Sequence, residues 1–244
     1  SEVGSGMSHE PYDKNAQKFF NQYQSLTFEQ VHADWLPLLE NSSGLALDVG
    51  AGSGRDASAL AEHGWDVVAV EPAMELRRLG EAATARRSIQ WVDDAMPDLG
   101  EIRKLSYRFD LILVSAVWMH VAPSSRERAF RILIELLAPS GMLVITLRHG
   151  PGDGERIFHE VSKAELDCFA RNRAVMPVPV PVENRADELK RSGVWWEMRF
   201  TACRMTAPGR CQPCGTLLLT ITSLLPTSWA CIARWCEWPT APPG

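Results

Sequence analysis

The stretch Leu45-Ala-Leu-Asp-Val-Gly-Ala-Gly-Ser-Gly-Arg-Asp56 is a short apolar run followed by three glycines that alternate with small residues. It predicts a buried strand over residues 45–49, a turn that requires residues without Cβ, and a helix that begins at about Arg55. A ligand can lie against such a bare turn, where free N–H groups at a helix N-terminus favour a carboxylate or a phosphate. Dinucleotide sites read G-x-G-x-x-G, and their third glycine would fall at Arg55. The turn alone therefore does not identify its ligand.

The composition is that of an ordinary globular chain. Its 244 residues, 45% of them hydrophobic, can bury one sizeable core, with or without an appendage. A net charge of −5 gives no general electrostatic reason to bind nucleic acid or an anionic membrane. No apolar run reaches the roughly 18–20 residues that span a bilayer and no signal segment opens the chain, so we expect a cytoplasmic protein without membrane contact. Residues 1–6, before Met7, resemble the remnant of an expression tag.

Further apolar segments follow the glycine turn and alternate with helical patterns. The predicted strands are residues 66–72, 88–94, 109–115 and 142–147. The segment 109–115 is apolar almost throughout, which is typical of a central parallel strand covered on both faces. This alternation predicts a Rossmann-like α/β fold, with an open, mostly parallel sheet, helices on both faces and right-handed crossovers.

Helix and strand signals frame this central pattern. Apolar stripes predict helices over residues 12–23 and 158–171. The segment 174–182 carries alternate prolines and predicts an edge strand, and residues 194–200 predict a last strand. Capping boxes predict two further helix starts, at Thr27 with Gln30 and at Ser124 with Glu127.

The predicted strand ends carry a recognisable series of residues. In an open α/β sheet, ligands bind at the carboxyl ends of the strands where the strand order reverses. Here those ends carry, in order, the glycine turn, Glu71, Asp93-Asp94-Ala95 and residues 115–121. Over residues 12–200 this series resembles the class I S-adenosylmethionine-dependent methyltransferases. Arg55 after the third glycine is similar to the tellurite-resistance and thiopurine-type small-molecule members of that family.

The resemblance implies S-adenosylmethionine as cofactor, S-adenosylhomocysteine as product, and a role for each residue at the strand ends. The glycine turn would hold the amino-acid part of the cofactor, and Glu71 would accept hydrogen bonds from both ribose hydroxyls. Asp94 would bind the adenine amino group, with Asp93 as the alternative, beneath a lid formed by residues 7–44. The predicted cofactor-binding residues are Tyr12, Tyr23, Asp48, Gly50, Ala51, Gly52, Ser53, Arg55, Glu71, Pro72, Asp94, Ala95, Ser115 and Val117.

These residues also have interpretations that need no ligand. Glu71 can be an acid at a helix N-terminus, where a negative charge is stabilising. Asp93 and Asp94 can be solvated turn residues. Tyr12 and Tyr23 can be aromatic side chains that face the core. Their joint occurrence at the strand ends and in the predicted lid favours the cofactor site.

Methyl transfer from a sulfonium is an in-line displacement that requires positioning and exclusion of water, without a metal or a covalent nucleophile. A base helps when the acceptor is a hydroxyl or an ammonium group. His120 and His149 are the candidate catalytic residues, each with the alternative of a structural histidine. Trp118 and Met119 are expected to shape the acceptor pocket or to pack under the lid. Arg148 either attracts an anionic substrate or faces solvent.

The acceptor is predicted to be a small molecule, methylated at oxygen, nitrogen or sulfur. Methyltransferases that act on base amines of DNA or RNA usually carry Asn/Asp-Pro-Pro-aromatic after the fourth strand, where this chain has Ser115-Ala-Val-Trp118. The acidic net charge also argues against a nucleic-acid partner. The alternatives are a non-catalytic or impaired cofactor-binding protein, an RNA methyltransferase and a nicotinamide-dependent dehydrogenase.

The composition changes at Cys203. Five of the six cysteines and many prolines and tryptophans follow, with almost no Lys or Glu. We expect no metal site, because the spacing of the last four cysteines (Cys211, Cys214, Cys231 and Cys236) is a weak match to a zinc site. The composition resembles translation in a shifted reading frame. We therefore predict a methyltransferase domain over residues 7–202 and a poorly ordered tail over residues 203–244.

Overall fold

The N-terminal part of the chain forms short helices. A computed structural model describes residues 10–39, 42–173, 175–178 and 184–204. The predicted helix over residues 12–23 is interrupted at Asn15, which separates two helices. The predicted capping box is confirmed, because Thr27 and Gln30 exchange hydrogen bonds at the start of the third helix. These elements are α1 (Glu10–Lys14), α2 (Ala16–Gln24), α3 (Phe28–His32) and a 3-10 turn (Leu36–Leu39).

The central part alternates strands and helices, as the sequence predicts. The β-strands are β1 (Leu45–Val49), β2 (Asp66–Val70), β3 (Ile89–Val92), β4 (Phe109–Val114), β5 (Leu137–His149), β6 (Val175–Pro177), β7 (Asn184–Ala186) and β8 (Trp195–Arg204). The helices that follow α3 are α4 (Arg55–Glu62), α5 (Met74–Ala83), α6 (Gly100–Lys104), α7 (Pro123–Leu136) and α8 (Lys163–Arg171).

The strands form one sheet with the order β3-β2-β1-β4-β5-β8-β6, and β7 also pairs with β8. The first five strands are parallel, whereas β8 runs antiparallel to β5, β6 and β7. The strand order reverses between β1 and β4, so the carboxyl ends of these two strands flank a crevice. This arrangement confirms the predicted Rossmann-like, mostly parallel sheet.

Both faces of the sheet are covered by helices. Successive side chains of a strand point to opposite faces. Ile112 packs in one apolar cluster with Phe130 of α7, and Leu113 packs in a second cluster with Leu60 of α4. All four side chains are buried. The apolar run in β4 is therefore explained by burial on both faces, which stabilises each such side chain by about 1.5–3 kcal/mol.

Helix α7 begins differently from the sequence prediction. It starts at Pro123, and Ala122 at the N-cap provides no side-chain hydrogen bond. The predicted capping box of Ser124 and Glu127 is therefore wrong. Proline is favoured at the first helical position, since it has no N–H to leave unsatisfied and its φ is already helical. The helix therefore starts at Pro123, one residue before Ser124.

The elements after β5 also differ in their bounds. Helix α8 starts at Lys163, where the hydroxyl of Ser162 accepts the N–H of Glu165, so the predicted helix over residues 158–171 begins five residues too early. Strand β6 confirms the edge strand at residues 175–177 of the predicted segment 174–182. The last strand is confirmed and extends to residue 204.

The predicted tail falls almost entirely outside the described residues. The backbone of Cys203 belongs to β8, and the four cysteines considered for zinc lie beyond residue 204. Within the described ranges, no helix combines the length and the apolar character that a bilayer crossing requires.

Candidate active site

A cavity of about 520 Å³ lies at the carboxyl ends of β1, β2, β4 and β5. Its volume falls within the roughly 300–1,000 Å³ of small-molecule sites. Most of the predicted site residues line it: Tyr12, Tyr23, Gly50, Ala51, Gly52, Ser53, Arg55, Glu71, Pro72, Ser115, Val117 and His120. Four predicted residues are not part of this wall: Asp48, Ala95, Asp94 and His149.

The glycine turn forms one wall of the cavity. Gly50 has a φ of +72°, and a Cβ built on it would lie 2.5 Å from a methyl group of Val117. Gly54 has a φ of +79° and immediately precedes α4, and its Cβ would lie 2.8 Å from Thr84. Residues with side chains would be strained or would clash at both positions. The structure therefore confirms the predicted strand, bare turn and helix.

Glu71 follows β2 and is held against this turn. Its Oε2 accepts the N–H of Gly52 at 3.1 Å, and its Oε1 accepts the N–H of Ala73 at 3.3 Å. The side chain is buried. Burial raises the pKa of Glu71 to about 7, although the two N–H donors and Arg77 act in the opposite direction. Near pH 7 this carboxyl is therefore poised between its neutral and its ionised form.

Arg55 connects the turn to the N-terminal helices. Its Nη1 donates to the carbonyl of Tyr23 at the end of α2 (3.1 Å), and its Nε donates to Asp56 (2.8 Å). Asp56 also contacts His32 of α3, with 2.9 Å between Oδ2 and Nε2. Because His32 Nδ1 accepts the N–H of Trp35, Nε2 is the nitrogen that donates to Asp56.

The pair of Asp56 and His32 was missed by the sequence reasoning. Burial alone would raise the pKa of Asp56, but His32 and Arg55 outweigh it and lower this pKa. Asp48 lies next to this pair at the end of β1, where burial and the charge of Asp56 raise its pKa well above the usual range. Its Oδ2 is buried without a hydrogen-bond partner among the described residues. Asp48 thus lies beside the Asp56 pair, outside the cavity wall.

Two residues distant in sequence meet at the cavity wall. The hydroxyl of Tyr12 in α1 lies 2.9 Å from His120 Nε2, and His120 Nδ1 lies 2.8 Å from the carbonyl of Ile157. A carbonyl can only accept, so Nδ1 carries the proton and Nε2 accepts from Tyr12. Burial lowers the pKa of His120 to about 4. His120 is therefore neutral at pH 7, with its lone pair directed at Tyr12.

The predicted adenine-binding residue makes structural contacts. Asp94 accepts the N–H of Ala95 at 2.8 Å and the N–H of Ile102 at 2.9 Å. Asp93 is exposed and forms an ion pair with Arg77. Each carboxylate oxygen has two lone pairs, so Asp94 retains the capacity to accept one more N–H. Its predicted role toward adenine stays a prediction.

The second candidate base stands apart from the cavity. His149 Nε2 contacts Glu197 at 2.9 Å, and its ring stacks on Trp195 with 4.1 Å between the centroids. Of the two residues predicted to shape the acceptor pocket, Met119 lines the cavity, whereas Trp118 is fully buried in the core. The structure thus brings His120, and not His149, to the wall of the cavity.

The rest of the cavity wall comes from the end of β5 and from the chain after it, and the sequence reasoning largely missed it. It includes Arg148, Arg156, Phe158, Arg191 and Trp196. The guanidinium of Arg156 is bound to Asp153 at 2.7 Å and lies over the rings of Phe19 and Phe158. Apart from Arg148 in β5, these residues lie in irregular segments or on antiparallel β8, where the sequence carries no periodic signal that places a side chain in a cavity.

Comparison with known proteins identifies similar chains. A family model described as a methyltransferase domain matches residues 22–203. An uncharacterized methyltransferase of Oceanobacillus iheyensis is 25% identical over 132 residues. That match covers 54% of this chain and 56% of the relative, so it spans little more than half of the relative's length.

Solved structures share the fold. The 1,6-didemethyltoxoflavin-N1-methyltransferase of Burkholderia thailandensis has a TM-score of 0.58 and 20% identity, and the match covers 80% of this chain and 88% of that chain. TehB of Haemophilus influenzae has a TM-score of 0.57 and 15% identity, with coverage of 78% and 67%. The N-methyltransferase NodS of Bradyrhizobium japonicum has a TM-score of 0.55 and 16% identity, with coverage of 78% and 97%.

Proposed function

Because the chain belongs to the methyltransferase domain family, we propose that it binds S-adenosylmethionine at the carboxyl ends of β1 and β2 and methylates a small molecule. The main support for this proposal is the position of the Glu71 carboxyl, which accepts the N–H of Gly52 at the cavity wall. The Burkholderia enzyme and NodS, which share the fold, were both crystallised with S-adenosylhomocysteine, and the former also with the small heterocycle 1,6-didemethyltoxoflavin.

The residues of the cavity suit this cofactor. The bare turn at Gly50 and Gly52 lets a ligand approach the backbone at the start of α4, where N–H groups favour a carboxylate. Glu71 in its ionised form accepts hydroxyl donors, as a ribose would offer. Tyr12 and Tyr23 face the same cavity from the N-terminal helices. These contacts would enclose the cofactor and exclude water.

The bound cofactor would supply an electrophilic methyl group on a sulfonium, which an acceptor atom displaces in line. The chain contributes positioning and a proton acceptor. His120 keeps its Nδ1 proton on the Ile157 carbonyl, so its Nε2 can take a proton from the acceptor when the Tyr12 hydroxyl moves aside. We assign His120 as the base on this geometry. The low pKa of His120 keeps Nε2 unprotonated at neutral pH, and it also makes the ring a weaker base than an ordinary histidine.

Calorimetric titration of S-adenosylmethionine and S-adenosylhomocysteine tests the proposal. We expect saturable binding of both, weakened about 10–100-fold by Glu71→Gln, since a hydrogen bond to a charged group contributes about 1.5–3 kcal/mol. The matched control is Glu101→Gln in α6, an exposed glutamate that pairs with Lys104. It should bind both compounds as the wild type does.

Two results would contradict the proposal. The first is a folded wild type that binds neither compound. The second is equal affinity in the Glu71 and Glu101 variants, which would place the ribose elsewhere. A preference for a nicotinamide dinucleotide over both compounds would favour a dehydrogenase instead.

A further inference from the structure

We propose that Arg148 is the anchor for the methyl acceptor and that this acceptor is a small aromatic carboxylate. The inference rests on the proposed function, because it assigns the part of the same cavity that faces away from the cofactor. Arg148 lies near the carboxyl end of β5 and pairs in register with Trp196 of β8. Both residues line the cavity.

The guanidinium of Arg148 is buried and only partly satisfied. The residue is 6% exposed, and its Nη2 donates to the carbonyl of Pro151 at 2.9 Å. Its Nε and Nη1 have no hydrogen-bond partner in the part of the chain that the structure describes. Leaving a buried charged group without partners is costly, so native structures rarely retain such a group without a use.

The other arginines of the cavity wall differ from Arg148 in this respect. Each of them forms an ion pair with a neighbouring carboxylate: Arg55 with Asp56, Arg156 with Asp153, Arg185 with Glu188 and Arg191 with Asp187. No carboxylate within the described ranges lies at ion-pair distance from Arg148. The pKa of Arg148 is lowered by burial and then by the nearby charges of Arg191 and Arg156, and the carboxylates of Asp187 and Asp153 offset this only in part. An anion bound beside Arg148 would relieve both effects.

The surroundings of Arg148 indicate what carries the anion. Its guanidinium lies over the ring of Phe158, 4.3 Å from the centroid. Met119, Val117 and Trp196 add apolar surface to the same cavity. A guanidinium binds a carboxylate through two parallel hydrogen bonds, and flat apolar bodies pack well against aromatic rings. This combination fits a planar molecule with one carboxylate.

The position of Arg148 also separates it from the cofactor wall. The glycine turn and Glu71 follow β1 and β2, whereas Arg148 lies in β5, on the far side of β4. His120, the assigned base, follows β4 and so stands between the two walls. An acceptor held by Arg148 would therefore have the base and the methyl donor on the same side.

The test uses the protein saturated with S-adenosylhomocysteine and three pairs of probes. The acids are salicylate, anthranilate and 4-hydroxybenzoate, and each is compared with its own carboxamide by calorimetric titration. We expect at least one acid to bind the wild type tenfold or more tightly than its amide. Arg148→Met should weaken that acid at least tenfold and leave the amide within about twofold, since the charge-assisted bonds are lost. The control Arg128→Met removes an exposed arginine paired with Asp98 and should keep the preference.

A melting curve distinguishes this role from a structural one. Removing a buried, unpaired charge should leave the melting temperature of Arg148→Met unchanged or raise it by about 2–4 °C. A lower melting temperature, with the acid preference retained, would assign the guanidinium to structure and overturn the inference.

Other results would also overturn it. These are equal binding of acids and amides by the wild type, or no binding of any of the three acids to a protein that binds S-adenosylhomocysteine. A wild type that does not bind S-adenosylhomocysteine would overturn the proposed function, and this inference with it.

Discussion

His120 illustrates how the surroundings of a histidine set its protonation state. Burial is the main cause of its low pKa, and Nε2 accepts the Tyr12 hydroxyl, which only the neutral ring can do. Tyr12→Phe removes the donor, so we expect the pKa of His120 to rise from about 4 toward its usual value, by about one unit. Titration of the histidine ring signals by NMR measures this shift. Tyr107→Phe, which alters a tyrosine packed on Phe109, is the control and should leave the signal unchanged.

Glu71 gives a second prediction, on stability. Its pKa is about 7 in the folded chain against 4.5 for the ordinary side chain, so the folded state binds more protons between these values. The free energy of unfolding therefore falls as pH rises from 4.5 to about 7. Glu71→Gln should remove this loss, by up to about 3 kcal/mol between pH 4 and pH 8.

Urea unfolding of both proteins at several pH values measures the difference. A pH-independent effect of the glutamine amide cancels, because only the change with pH is compared. Parallel pH profiles for the wild type and Glu71→Gln would show that the carboxyl has an ordinary pKa and would refute the prediction. Glu101→Gln should give a profile parallel to that of the wild type.

At the scale of elements, Arg55 links α2 to the start of α4. Lysine at this position keeps the charge but has a single ammonium group in place of Nε and Nη1, so it cannot reproduce the contacts with Asp56 and the carbonyl of Tyr23 in their present geometry. We expect Arg55→Lys to speed amide hydrogen exchange in residues 16–24 about fivefold, which corresponds to about 1 kcal/mol of local stability. Exchange in β1 should not change.

The control for this prediction is Arg103→Lys, which changes an exposed arginine in α6 that makes no contact with α2 among the described residues. If both variants exchange alike in residues 16–24, the Arg55 contact does not stabilise α2.

The bounds of the elements could be predicted only where local signals were unopposed. The box of Thr27 and Gln30 was predicted correctly because no stronger start signal lies beside it. At α7 the neighbouring Pro123 took precedence over the box at Ser124. At α8 the apolar residues before Ser162 resembled a helical stripe, but Phe158 packs against Arg148 instead. Such tertiary contacts are not visible in a periodicity.

For the whole molecule, the sequence predicts the parallel strands of the sheet and the part of the cavity wall formed by the residues that follow them. The glycines, Glu71 and the residues after β4 come directly after apolar strands, so their place at one edge of the sheet is dictated by parallel strand order. The other wall depends on how the chain returns through antiparallel β8. Arg156 reaches the cavity from the segment between β5 and α8, and Arg191 from the turn before β8. No local sequence pattern encodes either position.

The contacts of Tyr12 with His120 and Arg156 also bear on the order in which the chain folds. Tyr12 and His120 are 108 positions apart in the chain, and Tyr12 and Arg156 are 144 positions apart. Contacts between such distant segments require the closure of long loops, so we expect them to form after the local contacts of helices and hairpins. A compound that recognises the closed cavity therefore selects chains that have completed folding, and it stabilises them by mass action. Binding of the cofactor would then report that the N-terminal helices and the segment after β5 have both reached the cavity, which makes the ligand a probe of a late step of folding.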